Sequence, residues 1–124
     1  ILMSSRNQSG ENLRRLTISQ NGGETWEPYR LAEDLVTPQC MASVIRKGDL
    51  LVHSLPNSSS RRDGAIFASR DEGESWGRVH TVTPGGFAYS SLTQLADGSI
   101  ACLYEAGGYK TIRLARIPEE VFAD

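Results

Sequence analysis

The sequence predicts an all-β fold built from propeller blades, and two observations carry that expectation. The first is an octet that recurs at a fixed interval. Ser19-Gln20-Asn21-Gly22-Gly23-Glu24-Thr25-Trp26 and Ser69-Arg70-Asp71-Glu72-Gly73-Glu74-Ser75-Trp76 share the pattern Ser-x-[Asn/Asp]-x-Gly-Glu-[Ser/Thr]-Trp, offset by 50 residues. The second is a dense succession of short strand patterns cut by turn signals. Four-stranded blades repeat at a period of about 40 to 50 residues. The chain then holds about two and a half blades, and propellers typically have about four to eight, so this much chain does not close a ring.

In chain order, Ile1-Leu2-Met3-Ser4-Ser5-Arg6 reads as the interior of a strand and lacks the apolar core of a signal peptide, so the expectation is that blades precede it. Leu13–Ile18 and Ala65–Ala68 are β-rich runs that each lead into one octet. The Asn/Asp-x-Gly centre of each octet bonds its own turn backbone and supplies a residue tolerant of positive φ. The tryptophan supplies a large ring to bury beside the hairpin. A further short strand follows each octet, Arg78–Val82 after the second. Met41–Arg46, Leu50–Ser54, Ser91–Leu95, Ile100–Tyr104 and Thr111–Ile117 are the other strand candidates. Lys47-Gly48-Asp49, Ala96-Asp97-Gly98 and Ala106-Gly107-Gly108 are the turns between them. A single helical turn is expected at Pro118–Phe122.

Composition narrows the function classes. The chain has 124 residues, a net charge of −2 and 39% hydrophobic residues, an ordinary globular balance. No basic run points to nucleic acid, and no stretch approaches the ~18 apolar residues of a membrane helix. Cys40 and Cys102 lack the paired spacing of a zinc site and read as small buried apolar residues. His53 and His80 have no partner at metal-ligand spacing and read as surface or core histidines. Neither a metal nor a cofactor is expected.

The octets resemble Asp-boxes, the hairpin signature of bacterial, trypanosomal and animal sialidases. The second is a full match, and the first has Asn21 where the pattern has Asp. Asp-boxes also occur in propellers without sialidase activity, so other segments sharpen the likeness. Phe87-Ala88-Tyr89-Ser90-Ser91-Leu92 resembles the family's Ala-Tyr-Ser-x-Leu entry to a strand, whose tyrosine is the nucleophile. Cys102-Leu103-Tyr104-Glu105 resembles the Leu-Tyr-Glu that follows it beyond an Asp-Gly turn, here Asp97-Gly98. Arg61, eight residues before Ser69, matches the third arginine of the family's carboxylate-binding triad, and Arg6 matches the second. Pro38-Gln39-Cys40-Met41-Ala42-Ser43 resembles a stretch between these arginines. The likeness runs through the whole chain in order. It implies that residues 1–124 form the C-terminal part of a six-bladed catalytic propeller whose N-terminal blades lie outside this chain and are required for function.

The chemistry suits these residue types. Sialic acid carries a carboxylate on its anomeric carbon, and the planar guanidinium fork pairs a carboxylate bidentately. By the resemblance Arg6 and Arg61 bind that group. Arg62 competes with Arg61, since adjacent side chains of an extended segment point to opposite faces, and the distance to Ser69 favours Arg61. Tyr89 is the expected nucleophile, as sialidases depart from the usual carboxylate. A neutral phenol approaches the substrate carboxylate without charge repulsion. A phenol with an ordinary pKa near ~10 needs a base, and the resemblance puts that glutamate, the acid/base aspartate and the first triad arginine outside this chain. Glu105 is expected to orient that first arginine, which leaves it without a partner here. Tyr104 and Tyr109 are not assigned to the pocket. Ser19, Asn21, Gly23, Trp26, Ser69, Asp71, Gly73 and Trp76 are expected to be structural.

The reading is therefore an exo-α-sialidase acting on sialylated glycans with retention, inactive as this chain alone. A non-catalytic Asp-box propeller used for binding or assembly, or a trans-sialidase sharing the same residues, are the alternatives. A secreted, periplasmic or cell-surface location follows from the resemblance only.

Overall fold

Ten strands and one short 3-10 helix make up the protein in a computed structural model that describes all residues, Ile1–Asp124. β1 (Leu2–Ser5), β2 (Leu13–Ile18) and β3 (Arg30–Val36) form one antiparallel sheet in that order. β4 (Ser43–Lys47), β5 (Leu50–Pro56), β6 (Arg62–Ser69) and β7 (Gly77–Gly86) form a second, again as a meander. β8 (Ser90–Gln94), β9 (Ile100–Ala106) and β10 (Thr111–Ile117) form the third, and Glu119–Phe122 is the helical turn. Every strand located in the sequence is present, with bounds shifted by a few residues at most.

The sheets stack face to face with the four-stranded one in the middle, which is why β5 is buried along its whole length. The two-residue period of a strand sends successive side chains into different cores. Leu50, Val52 and Ile66 join Phe87, Leu92, Ile100, Tyr104, Ile117 and Phe122 on one side. Leu51, Leu55, Ala65, Phe67 and Trp76 join Leu16, Ala32 and Leu35 on the other.

The strand β3 had no bounds in the sequence pattern, and its pairing explains why. The ladder jumps from Arg14–Ala32 to Leu13–Val36, so Glu33, Asp34 and Leu35 bulge out of it and spoil the alternation. The bulge has a use. It aims Asp34 Oδ2 at the backbone N–H of Trp76, which donates at 2.7 Å. Arg30 Nη2 also donates to the Gly73 carbonyl, so β3 is tied to the second octet at both points.

The two octets fold alike. Ser19 Oγ accepts from the Gly23 N–H and Ser69 Oγ from the Gly73 N–H, each at 2.8 Å. Asn21 Oδ1 accepts from the Thr25 N–H and Asp71 Oδ1 from the Ser75 N–H, each at 2.9 Å. Each indole N–H, of Trp26 and of Trp76, donates to the glycine carbonyl three residues earlier at 3.1 Å. Gly23 and Gly73 need their missing Cβ here, with φ of 97° and 91°. The one sequence difference leaves the turn intact. Asn21 donates its amide to Thr25 Oγ1 at 2.8 Å, whereas the Asp71 carboxylate accepts from Ser75 Oγ at 2.5 Å. The Ser75 hydroxyl and N–H, then Ser69, hold the Asp71 carboxyl down at about 2.

A buried polar chain crosses from the first sheet to the third. Arg14, 2% exposed, donates to Ser4 Oγ at 2.7 Å and to the Cys40 carbonyl at 2.8 Å. Burial without a carboxylate partner lowers its pKa to about 10. The Ser54 carbonyl can only accept, so His53 Nδ1–H donates to it at 3.1 Å, and Nε2 of the neutral ring accepts from the Ser4 hydroxyl at 2.7 Å. Ser54 Oγ then meets Ser90 Oγ at 2.7 Å. Burial first, and the Arg14 charge second, lower the His53 pKa from 6.5 to about 3.

That shift sets an acid-stability prediction. The unfolded chain takes up the His53 proton near pH 6.5 while the folded one resists until about 3. Stability from this group is therefore complete above pH 6.5 and is lost as pH falls toward 3. Melting temperature is expected to fall more steeply between pH 6.5 and 4 in the wild type than in His53→Gln, which cannot titrate. Parallel slopes would contradict a neutral buried His53.

Candidate active site

The ends of β1, β5 and β9 and the starts of β6, β8 and β10 share one rim, because consecutive strands are antiparallel. Arg6 lies just past β1, Arg61 just before β6, Tyr89 just before β8, and Glu105 near the end of β9. All four therefore meet at that rim. The octets, which join β2 to β3 and β6 to β7, lie at the other rim. Arg61 comes from the loop between β5 and β6.

Tyr89 is held by its backbone and left open at its tip. Its N–H donates to Glu105 Oε1 at 3.0 Å, and its carbonyl accepts the Glu105 N–H at 3.0 Å. Ala88 N–H adds a third bond, to the Glu105 carbonyl, at 3.0 Å. Glu105 thus has a partner within the chain, although the sequence reading leaves it without one. The preceding residue pair is anchored as well. Phe87, 1% exposed, stacks on Tyr104 with ring centroids 4.7 Å apart, and its N–H donates to the Arg61 carbonyl at 3.0 Å. Tyr89 itself is 41% exposed.

Two guanidinium groups flank this phenol. Arg6 Nη1 donates to Tyr89 Oη at 3.2 Å, the only hydrogen bond of that hydroxyl, and Arg6 Nε is buried with no partner. Arg61 lies 5.3 Å from the centre of the Tyr89 ring. Its Nη2 donates to the Gln39 carbonyl at 2.9 Å and its Nη1 to Tyr109 Oη at 2.7 Å. Neither arginine belongs to any of the five ion pairs of the protein. Arg62 does, turning away to meet Asp63 at 3.4 Å. Burial tends to lower the Arg61 pKa, but the Tyr109 hydrogen bond, Cys40 and Tyr89 outweigh it and hold it above the usual arginine value. The cluster is thus two unpaired cations around one tyrosine, a setting for an anionic ligand.

Cys40 lies buried beside these arginines, and desolvation pushes its thiol up; Cys102 is likewise buried, its thiol pushed up to about 12. Both are free, so they are inert packing groups. No three His, Cys, Asp or Glu side chains converge as a metal set. A groove of about 290 Å³ runs beside Tyr89 over Leu103, Glu105 and Ile112. The largest recess, about 850 Å³, lies at the opposite strand ends. Its cations are already matched, Lys47 with Glu119, Arg116 with Asp97 and Arg70 with Asp124, so it offers no free positive charge to an anionic ligand.

Sequence reasoning passed over two contributors. The Gln39 carbonyl left no signal, because a backbone group has no side-chain identity. Tyr109 left a weak one, an aromatic residue directly after Gly107-Gly108 in a turn facing the rim.

Stacked antiparallel meanders of this kind form part of a β-propeller. The chain belongs to the BNR repeat-like domain family, whose profile matches residues 1–102. It is 32% identical to a sialidase of Micromonospora viridifaciens over 118 residues, covering 86% of this chain and 18% of that protein. Among solved structures it resembles the intramolecular trans-sialidase of Ruminococcus gnavus bound to oseltamivir carboxylate, with TM-score 0.78 and 23% identity, over 97% of this chain and 30% of that one. It also resembles the K499G mutant of the NanB sialidase of Streptococcus pneumoniae, with TM-score 0.81 and 19% identity, over 97% of this chain and 22% of that one. The chain therefore spans less than a third of each of these relatives. No helix is long and apolar enough to cross a membrane.

Proposed function

We propose that the full-length protein carrying this chain is an exo-α-sialidase that cleaves terminal sialic acid from glycoconjugates. The observation that carries this reading is the pair Arg6 and Arg61, free of carboxylates and both set against Tyr89, one at its hydroxyl and one at its ring. In this reading the two forks bind the substrate carboxylate, which brings the anomeric carbon next to it within reach of the phenol. Tyr89 Oη attacks that carbon as the glycosidic bond breaks, its proton passing to a base. Water then displaces the tyrosine from the covalent intermediate, so two inversions give net retention. Glu105 acts through the backbone, fixing where the Tyr89 ring leaves β8.

The base, the acid that protonates the leaving group and a third arginine are assigned to blades outside this chain. Leu103, Ile112 and Leu114 support that assignment, since they bare apolar side chains on the outer face of β9 and β10, where another sheet would stack. The chain by itself is expected to release no sialic acid.

The test is release of fluorophore from an α-linked sialoside by the full-length protein and its Arg61→Lys variant. Lysine keeps the charge but loses the planar fork, so KM is expected to rise by roughly ten- to a hundredfold. Product analysis separates free sialic acid from transfer to an acceptor. An inert wild type across varied sialosides would remove the enzymatic reading and leave a binding propeller.

A further inference from the structure

We propose that Tyr109 is a positioning residue that pre-aligns Arg61 for the substrate carboxylate, an inference that rests on the sialidase reading of the same site. Arg61 has a long side chain with no carboxylate beside it, and nothing in its own loop fixes the guanidinium. Two acceptors do so from other elements. The Gln39 carbonyl takes a hydrogen from Nη2 at 2.9 Å, and Tyr109 Oη takes one from Nη1 at 2.7 Å. Each terminal nitrogen carries two hydrogens, so one on each remains for a ligand. The plane of the fork is then set before the ligand arrives, and less freedom is lost on binding. The guanidinium also lies between two aromatic rings, with centroids 5.3 Å away for Tyr89 and 6.0 Å for Tyr109.

The turn that carries Tyr109 is built for this placement. Gly107, Gly108 and Tyr109 have φ of 59°, 65° and 70°, three successive left-handed residues. That conformation is unfavourable for a bulky side chain such as tyrosine, and it persists only where surrounding contacts hold it. Tyr109 is 59% exposed, so core packing is not what holds it; the Ala106–Thr111 pairing closes the turn and the Arg61 bond fixes the side chain. Gly86, at the end of β7, lets the turn come close. A Cβ there would lie 3.0 Å from Gly107 N and 3.2 Å from Gly108 N.

The experiment compares the full-length wild type with Tyr109→Phe, which keeps the ring and removes the acceptor. For hydrolysis of a fluorogenic α-sialoside, KM is expected to rise about tenfold with kcat within about twofold, the pattern of lost uniform binding. Inhibition by N-acetylneuraminic acid is expected to weaken by the same factor. Inhibition by its methyl ester, which lacks the carboxylate, is expected to stay within about twofold. Equal weakening of both inhibitors would overturn the proposal, because Tyr109 would then be a wall and not a clamp on Arg61. Tighter binding would overturn it too, because the hydroxyl would then be occupying the carboxylate's place. An active wild type with an unchanged Tyr109→Phe removes this inference alone, whereas an inactive wild type removes the sialidase reading beneath it.

Discussion

Tyr89→Phe in the full-length protein is expected to lower kcat for α-sialoside hydrolysis by at least on the order of a thousandfold. The substitution removes one oxygen. The Tyr89 backbone bonds to Glu105 remain, so the ring keeps its place and Arg6 and Arg61 still present their forks. Carboxylate binding is therefore expected to persist, with inhibition by free sialic acid changed by less than about threefold. Loss of turnover with retained binding is the signature of a nucleophile rather than of a binding group. Retention offers an independent check. NMR of the first-formed product in the wild type is expected to show the α-anomer, which a tyrosyl intermediate requires and a single displacement by water does not give. A Tyr89→Phe variant that keeps most of its turnover, or a β-anomer released first, would remove Tyr89 from the chemistry.

Gly64→Ala is expected to cause the largest loss of stability for the smallest change in the chain. A Cβ at this position would stand 2.1 Å from Phe87 Cδ2 and 2.4 Å from Cγ. The ring has no room to retreat, being 1% exposed and stacked on Tyr104. Overpacking a closed core costs about 1–3 kcal/mol or more, to be read from chemical denaturation. Activity is expected to fall as well, since Phe87 holds the Arg61 carbonyl and lies two residues from Tyr89. A shift of about 1 Å at such a site costs on the order of a hundredfold in rate. Gly77→Ala is the control. Nothing lies within 4 Å of its Cβ position, so its stability is expected to change by less than about 0.5 kcal/mol. Equal behaviour of the two variants would show that the Phe87 contact can relax.

Much of the fold was legible in the sequence because it rests on local rules. Turn chemistry is written in Asn21, Gly23, Asp71 and Gly73, and each of these groups bonds within four residues of itself. Strand alternation and the repeat of the octet are equally local, so the all-β, blade-like architecture follows from reading neighbours. The strand β3 escaped because its bulge answers to Trp76, 42 residues on, and no nearby residue announces it. His53 shows the same limit. Its place as a core residue was an open alternative, but its neutral state depends first on burial between stacked sheets and second on Arg14 from another sheet.

The site divides along the same line. By itself the sequence determined which residue types stand at Arg6, Arg61, Tyr89 and Glu105, and their resemblance to a known spacing. Only the tertiary structure decided that they share a rim, that Arg62 turns away, that Glu105 holds the Tyr89 backbone, and that Gln39 and Tyr109 grip Arg61. These contacts join residues 16 to 83 positions apart. Short-range preferences set the conformation of each segment, but the direction of a side chain at a rim depends on how whole sheets stack, which is settled by burial of both cores together.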